Sequence, residues 1–198
     1  MTTSNHRPYT YPEGKIDIPS KSGRDGAVKY SDYAIGYMIK RAEKEPWFKD
    51  TLFVIVADHC AGSARKVALP IKKYEIPLLI YSPSHVKPGE VDTLAGQIDI
   101  APTVMGILNF SYRTKFFGRD VLKPGMPGRA FISTYQKMGY MKDGRLVVLD
   151  PKKQVGEFTY SRADGALTPV PPDALAGEMI SYTQGVNYVY KHRLDRLR

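Results

Sequence analysis

The chain has 198 residues, of which 42% are hydrophobic and 11% aromatic, and a formal net charge of +9. This length fits one ordinary α/β domain or a large piece of one, with enough apolar residues for a real core. The single cysteine, Cys60, excludes an internal disulfide framework and a cysteine-rich zinc module. No run approaches the ~18 consecutive apolar residues of a membrane span, so we expect the chain itself to be soluble.

The positive charge has several possible explanations. Basic residues are spread along the chain and cluster only near its end, at Lys191, Arg193, Arg196 and Arg198. No helix-turn-helix or aromatic platform motif accompanies them, so we expect no nucleic-acid partner. Anionic lipid headgroups or phosphate-bearing substrates would be attracted to such a surface. A plain solvated basic surface is the alternative. The net charge alone does not distinguish these explanations.

The first half of the chain predicts a loop, a helix and a strand in succession. Residues 1–24 are rich in Pro, Gly, Ser and Thr without apolar periodicity, which predicts a loop. Apolar residues then recur at helical spacing and predict a helix over 26–45, with Asp25 as its N-cap. The apolar run that follows predicts a strand over 51–57 that is buried on both faces. A helix followed by such a strand is one step of a parallel α/β sheet.

The second half of the chain changes character. A second buried strand is predicted at 78–81, and Pro102 suits the first turn of a helix over 100–108. Asp143-Gly144 predicts a tight hairpin, and a final helix is predicted from about residue 173 to 193. Short strands of alternating character are predicted at 130–135, 139–142, 145–149 and 157–160.

Together these elements predict an α/β fold. We expect a partial doubly wound sheet with helices on its faces, followed by an antiparallel β extension and a terminal helix. The α/β part is placed at residues 1–125 and the extension at 126–198 of the same domain. A sheet that lacks its other strands would expose apolar faces and an unpaired edge, so self-association through that surface is expected.

The main candidate site is Asp58-His59, directly after the strand at 51–57. Ligands of α/β sheets bind at the carboxyl ends of the strands. A carboxylate oxygen and a neutral imidazole nitrogen are ligands that Zn²⁺ and Mn²⁺ accept. A polar turn with a hydrogen-bonded imidazole is the alternative, and the commoner meaning of the dipeptide alone. Because a catalytic metal site usually has three protein ligands, the pair represents half of a site.

Two basic segments could bind an anionic substrate beside this pair. The loop at 4–9 offers His6 and Arg7, whose imidazole and guanidinium suit a phosphate or sulfate ester. Arg65 and Lys66 follow the candidate ligands and could neutralise the same substrate. A surface loop and a solvated basic turn are the respective alternatives.

Two further residues are more easily explained by structure than by chemistry. Asp99 stands at the start of a predicted helix, where capping explains an acidic residue. Cys60 adjoins His59, but an inert thiol after a strand is commoner than an activated nucleophile. No serine or threonine stands in a convincing nucleophile setting.

Six segments, in this order and spacing, resemble the lipoteichoic acid synthase-like, sulfatase-type branch of the alkaline phosphatase superfamily. They are SNHRPYTYP at 4–12, VKYSDYAIG at 28–36, TLFVIVADHC at 51–60, KYEIPLLIYSP at 73–83, QIDIAPTVMGILNF at 97–110 and FFGRDVL at 116–122. The resemblance covers roughly residues 2–150. This segment is similar to the C-terminal part of the family's extracytoplasmic catalytic domain. The remainder of the chain is placed only by continuity.

The resemblance implies an alkaline-phosphatase/sulfatase-like fold and a set of site residues. Asp58 and His59 are implied as ligands of a divalent metal, usually Mn²⁺ or Zn²⁺, and His6 as a contact of the substrate phosphate. The remaining ligands of the family and its threonine nucleophile precede the stretch present here, so no catalytic nucleophile is expected in this chain. Relatives are membrane-anchored through N-terminal helices, with the catalytic domain outside the cytoplasm.

The implied activity is phosphoglycerol transfer. A hydroxyl attacks the headgroup of an anionic phospholipid, and a glycan or polyol-phosphate acceptor, or water, resolves the covalent phospho-enzyme. These 198 residues alone are then expected to be inactive. One alternative is a sulfatase or phosphoric-ester hydrolase of the same superfamily, and another is a non-catalytic domain that binds anionic lipid. Arg65-Lys66 stands where the family often has Gly-Lys, which leaves the acceptor side of the pocket open.

Overall fold

A computed structural model describes residues 3–60, 69–134, 136–152 and 154–196. β1 pairs with β2 in a two-stranded sheet, and β3 to β7 form a five-stranded antiparallel sheet in chain order. This mixture of helices and sheets confirms the predicted α/β class. The elements within the described residues are α1 (Arg24–Ala42), β1 (Phe53–Val56), β2 (Leu78–Tyr81), α2 (Ile100–Ile107), β3 (Arg129–Ser133), β4 (Met138–Lys142), β5 (Arg145–Leu149), β6 (Val155–Tyr160), β7 (Leu167–Val170) and α3 (Ala174–Lys191).

Two compact units make up the chain. One comprises Met1–Phe53 with Tyr81–Ser84, and the other Val54–Ile80 with His85–Arg198. The predicted division of the domain at residue 125 stays a prediction. Among the described residues, no helix has both the length and the apolar character needed to cross a bilayer.

In the first unit, an aromatic stack fastens the N-terminal loop to α1. The buried Tyr11 lies 5.1 Å from Tyr30 between ring centroids and donates its hydroxyl to the Pro19 carbonyl at 2.9 Å. The prediction of Asp25 as N-cap was wrong, because Gly23 occupies that position with a φ of 151° that favours glycine. Asp25 lies in the first turn, where its carboxylate still complements the helix dipole.

β1 and β2 lie where the sequence predicts them, but β1 is not buried on both faces and β2 is not the buried strand that was predicted. Val54 and Val56 are 37% and 39% exposed, and Leu79 of β2 is 60% exposed. The prediction of double burial was wrong because no described element packs over that side of the strand pair. The apolar run of β1 therefore reflects one half-buried face and one apolar face that is open to solvent in this chain.

The second unit is built on the five-stranded meander, which is covered on both faces. Met179 of α3 packs with Tyr140 and Val147 on one face. Leu69 and its neighbours pack against Leu146 on the other face. Because successive side chains of β5 point to opposite faces, both Leu146 and Val147 are fully buried. Because both faces of β5 are covered, its apolar residues follow one another without interruption. The prediction that this strand alternates between apolar and polar residues was therefore wrong.

The turns of this sheet follow their sequence signals with one exception. Asp143 and Gly144 have φ values of 49° and 76°, as the predicted tight hairpin between β4 and β5 requires. β7 is not among the predicted strands, and it contains Pro169. Within the sheet order, β7 is the last strand, and an edge strand tolerates a residue without a backbone N–H.

Gly118 is required by a close approach of two backbones. A Cβ at this position would collide with the carbonyl oxygen of Ile98. We expect Gly118→Ala to lower the free energy of unfolding by about 1–3 kcal/mol, because backbone must move to admit the methyl group. Urea unfolding measures the effect. Gly177→Ala is the matched control, since a Cβ there meets nothing within 4 Å and alanine stabilises a helix interior by about 0.5–1 kcal/mol. Equal midpoints for wild type and Gly118→Ala would contradict the close approach.

Glu178 of α3 links the helix to β4 and makes stability depend on acid pH. Tyr140 Oη and Lys142 Nζ each donate to its carboxylate at 2.7 Å. Burial opposes the charged form, but these hydrogen bonds outweigh it and hold the pKa of Glu178 below its ordinary value of 4.5. Because the folded pKa is depressed, the contribution is complete above pH 4.5 and is lost as pH falls through the folded pKa.

We therefore expect Glu178→Gln to flatten the loss of stability as pH falls below 4.5. Thermal melting across this range measures the slope. Glu90→Gln, at an exposed residue without an ion pair among the described residues, is the control and should keep the wild-type slope. A Glu178→Gln slope equal to that of wild type would show that this carboxylate does not supply the acid dependence.

Candidate metal and anion site

Asp58 and His59 follow β1 after one intervening residue, Ala57, and both side chains are open to solvent. Asp58 Oδ2 and His59 Nε2 lie 3.6 Å apart. A second carboxylate oxygen, Oδ1, accepts a hydrogen bond from the His59 backbone N–H at 2.9 Å. The backbone N–H thereby fixes the carboxylate while its other oxygen faces the imidazole.

The imidazole is held in one tautomer by a backbone carbonyl. His59 Nδ1 lies 2.9 Å from the Cys60 oxygen, and because a carbonyl only accepts, Nδ1 must carry the proton. In the neutral ring Nε2 then has a free lone pair, and this nitrogen is the ring atom near the carboxylate of Asp58. Metal-bound histidines are commonly oriented in this way, with the other ring N–H donated to a carbonyl.

The spacing of these two atoms fits a shared metal ion. Two bonds of about 2.1 Å at a tetrahedral angle place their donor atoms about 3.4 Å apart, close to the observed 3.6 Å. The donor set of one oxygen and one nitrogen suits Zn²⁺ or Mn²⁺. Within the described ranges, no group of three or more His, Cys, Asp or Glu side chains gathers around a common point.

Gln97 holds the backbone that carries this pair. Its Nε2 donates to the Ala57 carbonyl at 3.0 Å and to the Asp58 carbonyl at 2.9 Å. Gln97 was not among the candidate site residues predicted from the sequence. Its partners lie 39 and 40 residues away along the chain, and no local pattern signals a contact of that range.

A buried ion pair supports the turn on which Gln97 stands. Asp99 accepts hydrogen bonds from the backbone N–H groups of Gly96 and Arg119, at 2.9 and 2.8 Å. Its carboxylate also lies 3.4 Å from Arg129 Nη2, and the two side chains are 5% and 2% exposed. Asp99 is therefore structural, as predicted: its carboxylate caps the 3₁₀ turn Gln97–Asp99 that leads into α2, and it also forms a buried ion pair.

The loop with His6 and Arg7 belongs to the first unit. Both side chains are exposed, and the loop is tied to α1 through Ser31, which contacts Ser4 and receives a hydrogen bond from Asn5 at 3.2 Å. Tyr9 follows, and hydrogen bonds from Arg7 and Arg24 lower the pKa of its phenol. The Tyr9 oxygen accepts from Arg24 Nη2 at 3.3 Å. Two guanidinium groups that share one phenol make this loop suitable for an anion.

The remaining candidates add little. Arg65 and Lys66 lie outside the described residues, so their proposed contact with substrate stays a prediction. Cys60 is a half-buried free thiol. The contact it makes in this site is through its backbone carbonyl, which orients His59.

Comparison with known proteins now identifies the family. Residues 1–110 match the family described as Sulfatase. Phosphoglycerol transferase I of Xanthomonas euvesicatoria pv. vesicatoria (strain 85-10) is 30% identical over 114 residues, which are 57% of this chain and 16% of that protein. Lipoteichoic acid synthase 2 of Bacillus subtilis (strain 168) is 27% identical over 144 residues, with 62% and 22% coverage.

A solved structure of a protein in the alkaline phosphatase superfamily from Vibrio parahaemolyticus superposes with a TM-score of 0.89 at 32% identity. It covers 100% of this chain, which spans 49% of that structure. The aligned stretch thus spans less than a quarter of each curated relative above, and the chain spans about half of the solved structure. The fold and the family profile agree with the resemblance seen in the motifs. The chain belongs to the Sulfatase family, within the alkaline phosphatase superfamily.

Proposed function

We propose that this chain is part of a metal-dependent phosphoglycerol transferase that acts on cell-envelope lipid or glycan. The observation that carries the proposal is the convergence of Asp58 Oδ2 and His59 Nε2, 3.6 Å apart, in the tautomer that leaves Nε2 free. The names of the relatives, phosphoglycerol transferase I and lipoteichoic acid synthase 2, support the reaction class.

In this proposal Asp58 and His59 hold Mn²⁺ or Zn²⁺. The metal supplies Lewis-acid stabilisation of charge on the phosphoryl oxygens. His6 and Arg7 bind and orient the phosphate of the headgroup, since an imidazole and a guanidinium both donate to phosphate oxygens. Lys66 is proposed to neutralise charge on the same substrate.

The rest of the protein completes the site. Asp58 and His59 supply two ligands, whereas catalytic sites commonly have three from the protein. We propose that the missing ligands and the nucleophile lie in a part of the protein that this chain does not include. The isolated chain is then inactive, and the protein acts outside the cytoplasm beside an anionic membrane, to which a net charge of +9 is attracted.

A labelled-headgroup assay tests the proposal. The protein that carries this chain is incubated with phosphatidylglycerol labelled in its headgroup glycerol, with Mn²⁺ and a glycan acceptor. Release of diacylglycerol together with label on the acceptor supports a transferase. Diacylglycerol with free glycerol phosphate supports a hydrolase, the second candidate, which the Sulfatase family match favours. No turnover of phospholipid or of a sulfate ester, with lipid binding retained, would leave the non-catalytic lipid-binding domain.

A further inference from the structure

Gln97 bridges two consecutive backbone carbonyls, those of Ala57 and Asp58. In an extended strand successive carbonyls point to opposite sides, so one side-chain nitrogen cannot serve both. Both can be reached only where the chain leaves the strand, and β1 ends at Val56. The two hydrogens of a single amide nitrogen therefore fasten the turn from which the Asp58 and His59 side chains project.

The chemistry of this contact requires an amide or another donor. Backbone carbonyls accept and do not donate, so the Gln97 nitrogen and not its oxygen must face them. A carboxylate of the same size would present acceptors to two acceptors. A side chain with an N–H donor can therefore replace Gln97, but glutamate cannot. Because glutamate has the same size and shape, this comparison separates the effect of hydrogen bonding from that of shape.

The backbone at Gln97 is held in place by a buried ion pair. Gln97 begins the short 3₁₀ helix Gln97–Asp99, which is fixed at its far end by the buried Asp99–Arg129 ion pair. Arg129 stands at the start of β3, and its Nη2 also donates to the Phe117 carbonyl at 2.7 Å. A continuous set of contacts therefore runs from the five-stranded sheet, through Asp99 and Gln97, to the backbone of Asp58.

We propose that Gln97 is a positioning residue that fixes the turn after β1 and so sets the orientation of Asp58 and His59. The contact itself is independent of the proposed function. Only the statement that the two positioned side chains are ligands of a metal ion rests on the proposed function.

The experiment compares Gln97→Glu, Gln97→Leu and Gln97→Lys in the protein that carries this chain. Amide hydrogen exchange is measured without metal at Ala57 and His59, whose N–H groups donate to the Pro77 carbonyl and the Asp58 carboxylate, and Mn²⁺ affinity is measured by calorimetry. Glu and Leu remove both hydrogen bonds, so exchange is expected to accelerate at least about 10-fold and Mn²⁺ affinity to fall about 10-fold. Lys retains donors and should preserve most of both. Gln184→Leu is the control, because this exposed α3 residue makes no side-chain hydrogen bond among the described residues.

The outcomes separate this inference from the proposed function. Unchanged exchange in Gln97→Glu and Gln97→Leu overturns the inference. Faster exchange with unchanged Mn²⁺ affinity also overturns the positioning role, provided that the Asp58→Ala, His59→Ala double variant loses the metal. If that double variant keeps full Mn²⁺ affinity, the proposed function fails, while faster exchange in Gln97→Glu and Gln97→Leu still supports control of the turn by Gln97.

Discussion

The Asp58→Ala, His59→Ala double variant is expected to lose at least about 100-fold in Mn²⁺ affinity, more than the 10- to 100-fold typical of outer contacts. Headgroup transfer by the protein that carries this chain should fall below detection. The reason is that the two side chains supply the converging oxygen and nitrogen, and alanine supplies neither. Calorimetry and the labelled-headgroup assay measure the two effects.

The matched control is the His85→Ala, Asp92→Ala double variant. It removes the same two residue types from exposed positions of the described chain. Metal affinity and transfer should stay within about 2-fold of wild type, because surface substitutions away from special features have small effects. Full activity and full Mn²⁺ affinity in the Asp58, His59 double variant would remove the basis of the proposed site.

Arg129→Met is expected to be the most damaging single change to stability. The variant leaves the carboxylate of Asp99 buried without its cation, which costs about 3–5 kcal/mol of unfolding free energy. It also removes a hydrogen bond to the Phe117 carbonyl and the cation–π contacts with Phe131 and Tyr182. Urea unfolding measures the loss.

A double-mutant cycle isolates the pair itself. Because Asp99→Asn removes the unpaired charge, the Asp99→Asn, Arg129→Met double variant should be less destabilised than the sum of the single variants by about 1–3 kcal/mol. Arg162→Met, at an exposed arginine, should change stability by less than about 0.5 kcal/mol. Strict additivity of the Asp99 and Arg129 changes would show that the 3.4 Å contact carries no coupling.

Local patterns in the sequence were sufficient to predict most elements of the fold. The helical periodicity before Pro46 predicts α1, and the positive φ values that Asp143-Gly144 favours predict the hairpin. β7 was not predicted because it contains a proline. A proline is compatible with an edge strand, although it is unfavourable in the middle of a sheet. Burial of β1 on both faces could not be checked from sequence, since it depends on what packs over the strand pair.

The candidate site was only partly predictable, for a related reason. Asp58 and His59 are adjacent and follow a strand, so a short window contains the whole signal. Gln97 and Arg129 act over 30 or more residues of chain. A glutamine in a turn has no distinctive spacing, and an arginine at the start of a strand predicts exposure and not the burial observed. The proposed contact of His6 with phosphate stays a prediction.

Anomalous X-ray scattering from a crystal of the protein soaked in Mn²⁺ tests the central claim most directly. We predict a single strong peak about 2.0–2.2 Å from both the Asp58 carboxylate and His59 Nε2. The remaining ligands around that peak would show which residues complete the proposed site. An anomalous peak held by other residues, with Asp58 and His59 more than about 4 Å away in an active protein, would contradict the account.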